Sequence, residues 1–348
     1  MKKIEFPWLD AGFSRLAAMR SRLPHAILLC GPPGLGKRRL AEHFAQSLLC
    51  ENAGNDGNPC GTCPACRWFE EGNHPDFRLV VPEILAIEAA MAGSGAEGTA
   101  DDDAGAPKAS RAPSKSIRID QIRDLESFFQ VGTHRGGRRI VLLYPADRLN
   151  LEAANTLLKV LEEPPAGTLF LLVTSRAHEL PATVRSRCAR VDLARPDTAT
   201  LQHWLAGQGV RDPVQALAEA GGAPIPAATD DPAADIRAML LAGLSAERLP
   251  DPVALAEKCE KAGPQNVCLW LARWISDLIA ANAGGGVRYH PQHGRRLAAL
   301  GAGIQAAAAH AYYRKLMRAR RTADHPLNAR LFTEELLIDY ARLVSARS

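Results

Sequence analysis

The stretch that most constrains this chain is HAILLCGPPGLGKRRLAEHFAQSLLC, residues 25–50. An apolar run from His25 to Cys30 enters a glycine loop, and behind the loop Leu40, Phe44 and Leu48 recur on one helical face. Strand, glycine loop and helix in direct succession predict a phosphate cradle. The backbone N–H groups of Gly31, Gly34 and Gly36 would converge on phosphate oxygens at a helix N-terminus, and Lys37 would reach the β/γ-phosphates of ATP or ADP. The next position should be Ser or Thr, whose hydroxyl holds Mg²⁺, and it is Arg38. At this point the sequence leaves two readings open, a loop that binds nucleotide and one kept only for its backbone shape.

Two further apolar runs, RRIVLLYP and TLFLLVTS, each predict a strand. Between them NLEAANTLLKVLEEPP sets Ala154, Leu157, Leu158 and Leu161 on one face of a helix that stops before Pro164 and Pro165. Continuous apolar strands alternating with helices indicate a mostly parallel sheet covered on both faces, so residues 1–195 are expected to form an α/β domain of nucleotide-binding type. Within it, residues 90–116 (AMAGSGAEGTADDDAGAPKASRAPSKS) carry one large apolar residue, Met91, and are expected to be a disordered insertion.

The second strand is where a hydrolytic site would place an acidic pair, one carboxylate for Mg²⁺ and one for the attacking water. Here IVLL runs into Tyr144 and Pro145, and Asp147, three residues further on, reads as a turn or helix-start carboxylate. Hydroxyl and carboxylates are missing from their expected positions, so independent ATP hydrolysis is not expected.

Cys50, Cys60, Cys63 and Cys66 follow the pattern C-x9-C-x2-C-x2-C, with Gly57, Pro59, Gly61 and Pro64 supplying turn chemistry. Four thiolates close a tetrahedral sphere, so Zn²⁺ here would be structural rather than catalytic. Free thiols and an iron–sulfur cluster are the alternatives, and His74 is a substitute ligand of second rank. Four of the eight cysteines crowd into this segment, which suits a metal knot in a reducing compartment better than disulfides.

From LARPDTATLQHWLAGQG onwards, β-branched runs vanish and Ala, Leu and Arg dominate, with glycine and proline breaks. The second half is therefore expected to be all-helical, a small unit at 196–235 and a larger bundle at 236–348, in which Leu271, Trp274, Ile275 and Leu278 share one face. Its YYRKLMRARR segment carries Arg314, Lys315, Arg318 and Arg321, for which a solvated helix face or a subunit contact is preferred over DNA phosphates. The formal charge of +4 arises from 42 basic and 38 acidic residues, so no global field for polyanions exists. No uninterrupted apolar leader or spanning segment is visible, and the expectation is a cytoplasmic protein without membrane partners.

Between the third strand and the helical half, ELPATVRSRCARVDL places Ser186, Arg187 and Cys188 in a loop. Arginine suits stabilisation of charge on a transferring phosphate, although a surface arginine is the simpler reading of this stretch alone.

Taken together, HAILLCGPPGLGK, CGTCPACRWFEEGNHPDF, IRIDQIRDL, NTLLKVLEEPP, TLFLLVTS and LPATVRSRC resemble the clamp-loader branch of the AAA+ proteins in order and spacing, and HPLNARLFTEELLIDY is similar to that family's C-terminus. The resemblance implies a minimal AAA+ domain, a helical lid and a helical collar that holds a hetero-pentamer together. It implies gamma/tau-type motor subunits and a delta subunit as partners, with the sliding clamp and primed DNA reached through the complex. Arg187 would then act in trans on ATP in a neighbouring motor subunit, supported by Ser186 and Cys188. The zinc module falls on the four clustered cysteines, and Thr174 matches the polar residue that ends the sensor strand. The lid arginine of the motor subunits is replaced by Pro226. A stator that does not hydrolyse ATP is the expectation, with an active P-loop motor or a zinc-dependent DNA-binding module as alternatives.

Overall fold

The structure, a computed structural model, describes residues 6–93, 113–130, 132–133, 137–246, 250–323 and 328–345. It divides into two compact units, Met1–Pro196 and Asp197–Ser348.

The first unit is built on five parallel strands: β1 (Ala26–Cys30), β2 (Phe77–Val80), β3 (Arg139–Leu143), β4 (Thr168–Thr174) and β5 (Ala189–Asp192). Their order across the sheet is β2-β3-β4-β1-β5. The three central strands are buried along their whole length, which is why each reads as an uninterrupted apolar run. The edge strands β2 and β5 are short and partly exposed, and they carry Arg78, Arg190 and Asp192, charges that discourage further strand addition.

Register fixes the place of the site. Cys30 is aligned with Thr174 on one side and with Asp192 on the other, and Leu143 with Leu172. The segments leaving β1, β3 and β4 therefore gather at one edge of the sheet, where open α/β folds hold their ligands. The Lys37–Leu49 helix follows β1, and its Leu40, Ala41, Phe44 and Ala45 are fully buried. The Leu151–Glu162 helix starts on Asn150, whose side chain accepts the Ala153 N–H at 2.8 Å, and it ends before Pro164 as its proline pair dictates.

The expected insertion at 90–116 has firmer edges than its composition suggested. The Glu83–Gly93 helix runs into it, and Ser114 donates its N–H to Glu83 Oε2 at 2.8 Å. The stretch 94–112 lies outside the described residues.

The second unit is all-helical among its described residues. Aspartates followed by proline open two of its helices: Asp212 accepts the Gln215 N–H ahead of Pro213–Glu219, and Asp251 the Val253 N–H ahead of Pro252–Cys259. The core gathers on Pro264–Asn282, where Leu271, Trp274, Ile275 and Leu278 are all fully buried. Trp274 Nε1 donates to Tyr340 Oη at 2.9 Å, and that hydroxyl donates to the Leu244 carbonyl at 3.1 Å. The segment ending at Glu219 is tied to the later helices, since Arg237 pairs with its carboxylate and Arg273 donates to its carbonyl. No described helix is long and apolar enough to cross a membrane.

Candidate functional site

The glycine loop follows β1 directly. Gly34 and Gly36 have φ of 72° and 85°, a left-handed backbone that favours glycine, and Gly36 leads straight into the Lys37–Leu49 helix. At Gly31 the constraint is space, because a Cβ would lie 2.9 Å from the Leu193 carbonyl oxygen. The loop is also held from outside, with Trp8 Nε1 donating to Leu35 O at 2.9 Å. The two glycines thus take the left-handed backbone that only glycine adopts readily, between strand and helix.

Lys37 is only 4% exposed and is engaged within its own domain. Its ammonium donates to the Pro32 carbonyl at 2.6 Å, inside the loop, and to Ser175 Oγ at 2.8 Å, just past β4. Burial pulls its pKa down to about 8, against the opposing influence of Asp147 and Cys30. Neither partner was visible from the sequence. The Cys30–Thr174 register creates the second by placing Ser175 beside the loop.

Arg38 reaches across to the end of β3. Its guanidinium lies over the Tyr144 ring, 5.6 Å from the centroid, while its Nε donates to Glu42 Oε1 at 2.7 Å. The two positions that depart from the metal-binding pattern are thus in contact with each other. Asp147 stands in a 3₁₀ turn, Ala146–Arg148, and its side chain is 4% exposed. It accepts the Thr174 hydroxyl at 2.5 Å, and Arg176 Nε and Nη2 at 3.2 and 2.9 Å. Thr174 also accepts the Arg176 N–H at 2.9 Å. These bonds explain why a buried carboxylate sits one turn past the strand, a network that sequence reasoning missed.

Ser186, Arg187 and Cys188 close the short Ala182–Ser186 helix and lead into β5. Because β5 runs parallel to β1, Arg187 precedes its strand at the edge where strands begin, while the glycine loop leaves at the edge where they end. Four residues of extended strand separate the two edges, about 13 Å along the sheet. Arg187 donates to Thr183 O at 3.1 Å and to Glu162 Oε1 at 2.5 Å, and 35% of its side chain remains exposed. Ser186 Oγ donates to Thr183 O at 3.0 Å, closing the turn, and Cys188 Sγ donates to Val184 O at 3.3 Å. Burial raises the Cys188 thiol to about 11, so it acts as a packed side chain rather than a nucleophile.

Cys50, Cys60, Cys63 and Cys66 come together away from this loop, with all four sulfur atoms within 4.8 Å of one another. Cys50 and Cys63 are 3.9 Å apart, and Cys60 and Cys66 4.0 Å, close to the edge of about 3.8 Å for sulfurs at 2.3 Å around a tetrahedral centre. Backbone N–H groups of Thr62 and Cys63 point at Cys60 Sγ and hold its thiol down at about 6. Burial pushes Cys66 up, the cost that a bound cation would offset. The donor set fits a thiolate-bound metal. His74 is not part of the cluster; its Nδ1 accepts the Asp76 N–H at 3.1 Å.

A family model described as DNA polymerase III, delta subunit, matches residues 13–197, and one for the C-terminal part of the same subunit matches residues 233–342. The chain belongs to this DNA polymerase III delta subunit family. Relatives named DNA polymerase III subunit delta' include those of Pseudomonas aeruginosa, 38% identical over 226 residues (64% of this chain, 60% of that protein), and Escherichia coli, 31% identical over 202 residues (58% and 52%). A DNA polymerase III subunit tau of Escherichia coli is 32% identical over 184 residues, 53% of this chain and 24% of that protein. The matched regions of the delta' relatives thus span little more than half of their length. Among solved structures, a gamma subunit-related protein of Thermotoga maritima aligns with a TM-score of 0.48 at 17% identity, over 95% of this chain and 99% of that one.

Proposed function

We propose that the chain is a delta'-type stator of a clamp loader, a subunit that does not hydrolyse ATP itself and supports ATP-dependent loading of a sliding clamp on primed DNA. Its partners in this reading are gamma/tau-type motor subunits and a delta subunit in a hetero-pentamer, in the cytoplasm. Within the helical unit, 196–235 serve as the lid and 236–348 as the collar that joins the ring.

The observation that carries the reading is the position of Arg187. It lies at the opposite edge of the sheet from its own glycine loop and remains partly exposed, so the phosphate it serves belongs to a neighbour. An arginine supplied in trans neutralises charge on the γ-phosphate as the bond to the leaving group lengthens, and Ser186 and Cys188 hold the turn that presents it. At the loop itself, Arg38 and Tyr144 stand where hydroxyl and carboxylate would hold Mg²⁺ and the attacking water, which supports a domain that cannot cleave ATP. Gly31, Gly34, Gly36 and Lys37 retain the capacity to cradle ATP or ADP phosphates if Lys37 leaves Pro32 and Ser175.

The metal of the four-cysteine cluster is Zn²⁺ in this reading. Bound there, it supplies cross-linking and no chemistry, since four thiolates leave it no open position. The cluster stands on the outgoing end of the Lys37–Leu49 helix, where Gln46 donates to Glu70 at 3.2 Å.

The test is ATP turnover by the purified chain alone and with motor subunits. No steady turnover alone and robust turnover in the complex is the expected result. Turnover by the chain alone, abolished in Lys37→Ala, identifies a motor instead.

A further inference from the structure

The Ala306–Thr322 helix concentrates the charge of the chain. It carries Arg314, Lys315, Arg318, Arg320 and Arg321 and no acid, five positive charges against a net +4 for all 348 residues. The structure divides these residues by what they face. Lys315 is drawn into the fold by Glu335 and Asp339 on the neighbouring Ala329–Ser345 helix. On that neighbouring helix Arg330 takes Glu334 and Arg342 takes Asp339. Arg314, Arg318 and Arg321 are exposed at helical spacing on one face, and among the described residues none of the three has an ion-pair partner. The exposed His310 extends the same face by one turn.

We propose that this arginine row is a docking surface for the phosphodiester backbone of nucleic acid, a direct contact made by the helical unit in addition to the role assigned to Arg187. From Arg314 to Arg321 the helix rises about 10 Å. One strand of B-form DNA passes about three phosphates in that distance. Guanidinium forks suit phosphate oxygens, and a preformed helix holds them in a fixed row. An acidic protein surface fits less well. Such an interface needs buried aromatic or aliphatic anchors, and the remaining exposed residues of this helix are alanines, Arg320 and Thr322. Among the described residues the exposed large apolar side chains lie on other elements, Leu331 on the Ala329–Ser345 helix among them.

The test is binding of the full-length purified chain to a fluorescein-labelled single-stranded oligonucleotide and to a duplex, read by anisotropy across a salt series. Loss of three phosphate contacts lowers the slope of log affinity against log salt by about 2 for a single strand and somewhat more for a duplex. Arg314→Ala/Arg318→Ala/Arg321→Ala should show that loss, and Arg314→Lys/Arg318→Lys/Arg321→Lys should keep most of the slope. Removal of three other exposed arginines, Arg22, Arg211 and Arg295, should leave the slope as in the unmodified chain. Whichever oligonucleotide shows the larger change names the form of nucleic acid bound. The proposal is overturned if the unmodified chain binds neither oligonucleotide at about 50 mM salt, or if both arginine triples lower the slope equally. These results are independent of the Arg187 reading, which is tested by ATP turnover and not by nucleic-acid affinity.

Discussion

The Arg38 guanidinium rests over the Tyr144 ring, 5.6 Å from its centroid. In the proposed reading each residue stands where a hydrolytic P-loop domain brings a metal-binding oxygen, and the two side chains meet in a cation–π contact worth about 0.5–1 kcal/mol at such a site. A fixed guanidinium also repels a divalent cation. Nucleotide affinity of the isolated chain, measured by calorimetry, should therefore be the same within about twofold with Mg²⁺ and with EDTA. A tenfold strengthening by Mg²⁺ would place a metal site where this structure has a side-chain cation.

Lys37 makes a pH-dependent prediction. Its pKa of about 8 in the folded chain is below the ordinary 10.5, because burial disfavours the charged form. Below pH 8 both folded and unfolded chains hold the proton, and the folded state bears the full cost of burying it. Between 8 and 10.5 the unfolded chain holds the proton that the folded chain has released, so this group's contribution to stability rises with pH in that window. Unfolding free energies of the native chain relative to Lys37→Met should increase over that range, by at most about 3 kcal/mol.

The cysteine cluster should contain about one zinc per chain by elemental analysis. A strong chelator should open the 50–70 region to protease while leaving the parallel sheet folded, because Cys63, Ala65 and Cys66 form a small buried cluster of their own, separate from the core on the sheet. Cys63→Ser should reproduce that pattern. Loss of the whole first unit on chelation would show that the metal supports the sheet itself.

In the helical unit, Asp277 is fully buried and accepts the backbone N–H groups of Arg288, Tyr289 and His290 as well as His290 Nδ1 at 2.9 Å. Burial alone would raise its pKa, but the His290 bond and the backbone donors outweigh it and leave the carboxyl below its ordinary value. Its stabilisation is therefore present above the unfolded-state pKa of about 4 and is lost as pH falls through the lower folded value. Asp277→Ala strands several buried donors and should cost about 3 kcal/mol in chemical denaturation at pH 7.

The parts legible in the sequence were those in which a single local rule dominates. β1, β3 and β4 are buried on both faces and announce themselves as apolar runs, and Asn150 with Pro164 brackets its helix. β2 and β5 were not legible, because a four-residue edge strand bearing Arg78 or Asp192 has no continuous apolar run, and the alternation of Ala189–Asp192 is too short to stand out. The same division holds at the site. The glycines, Lys37 and the cysteine spacing lie within one stretch of chain, whereas Lys37 to Ser175, Arg38 to Tyr144 and Arg187 to Glu162 join residues far apart in sequence. Those pairs depend on strand order and register, which no local pattern encodes.

The salt bridge from Arg187 to Glu162 is an exposed one, so its cost to break is small, within about 1 kcal/mol. The in-trans role proposed for Arg187 therefore requires no disturbance of the fold when the guanidinium leaves Glu162. The in-trans role of Arg187 is tested by steady-state ATP turnover of a reconstituted complex carrying Arg187→Ala, with assembly followed by gel filtration. Turnover at least about tenfold lower, in a complex that still assembles, is the predicted result. An intact complex that turns over ATP at the unmodified rate would contradict the assignment of Arg187 to a neighbouring site.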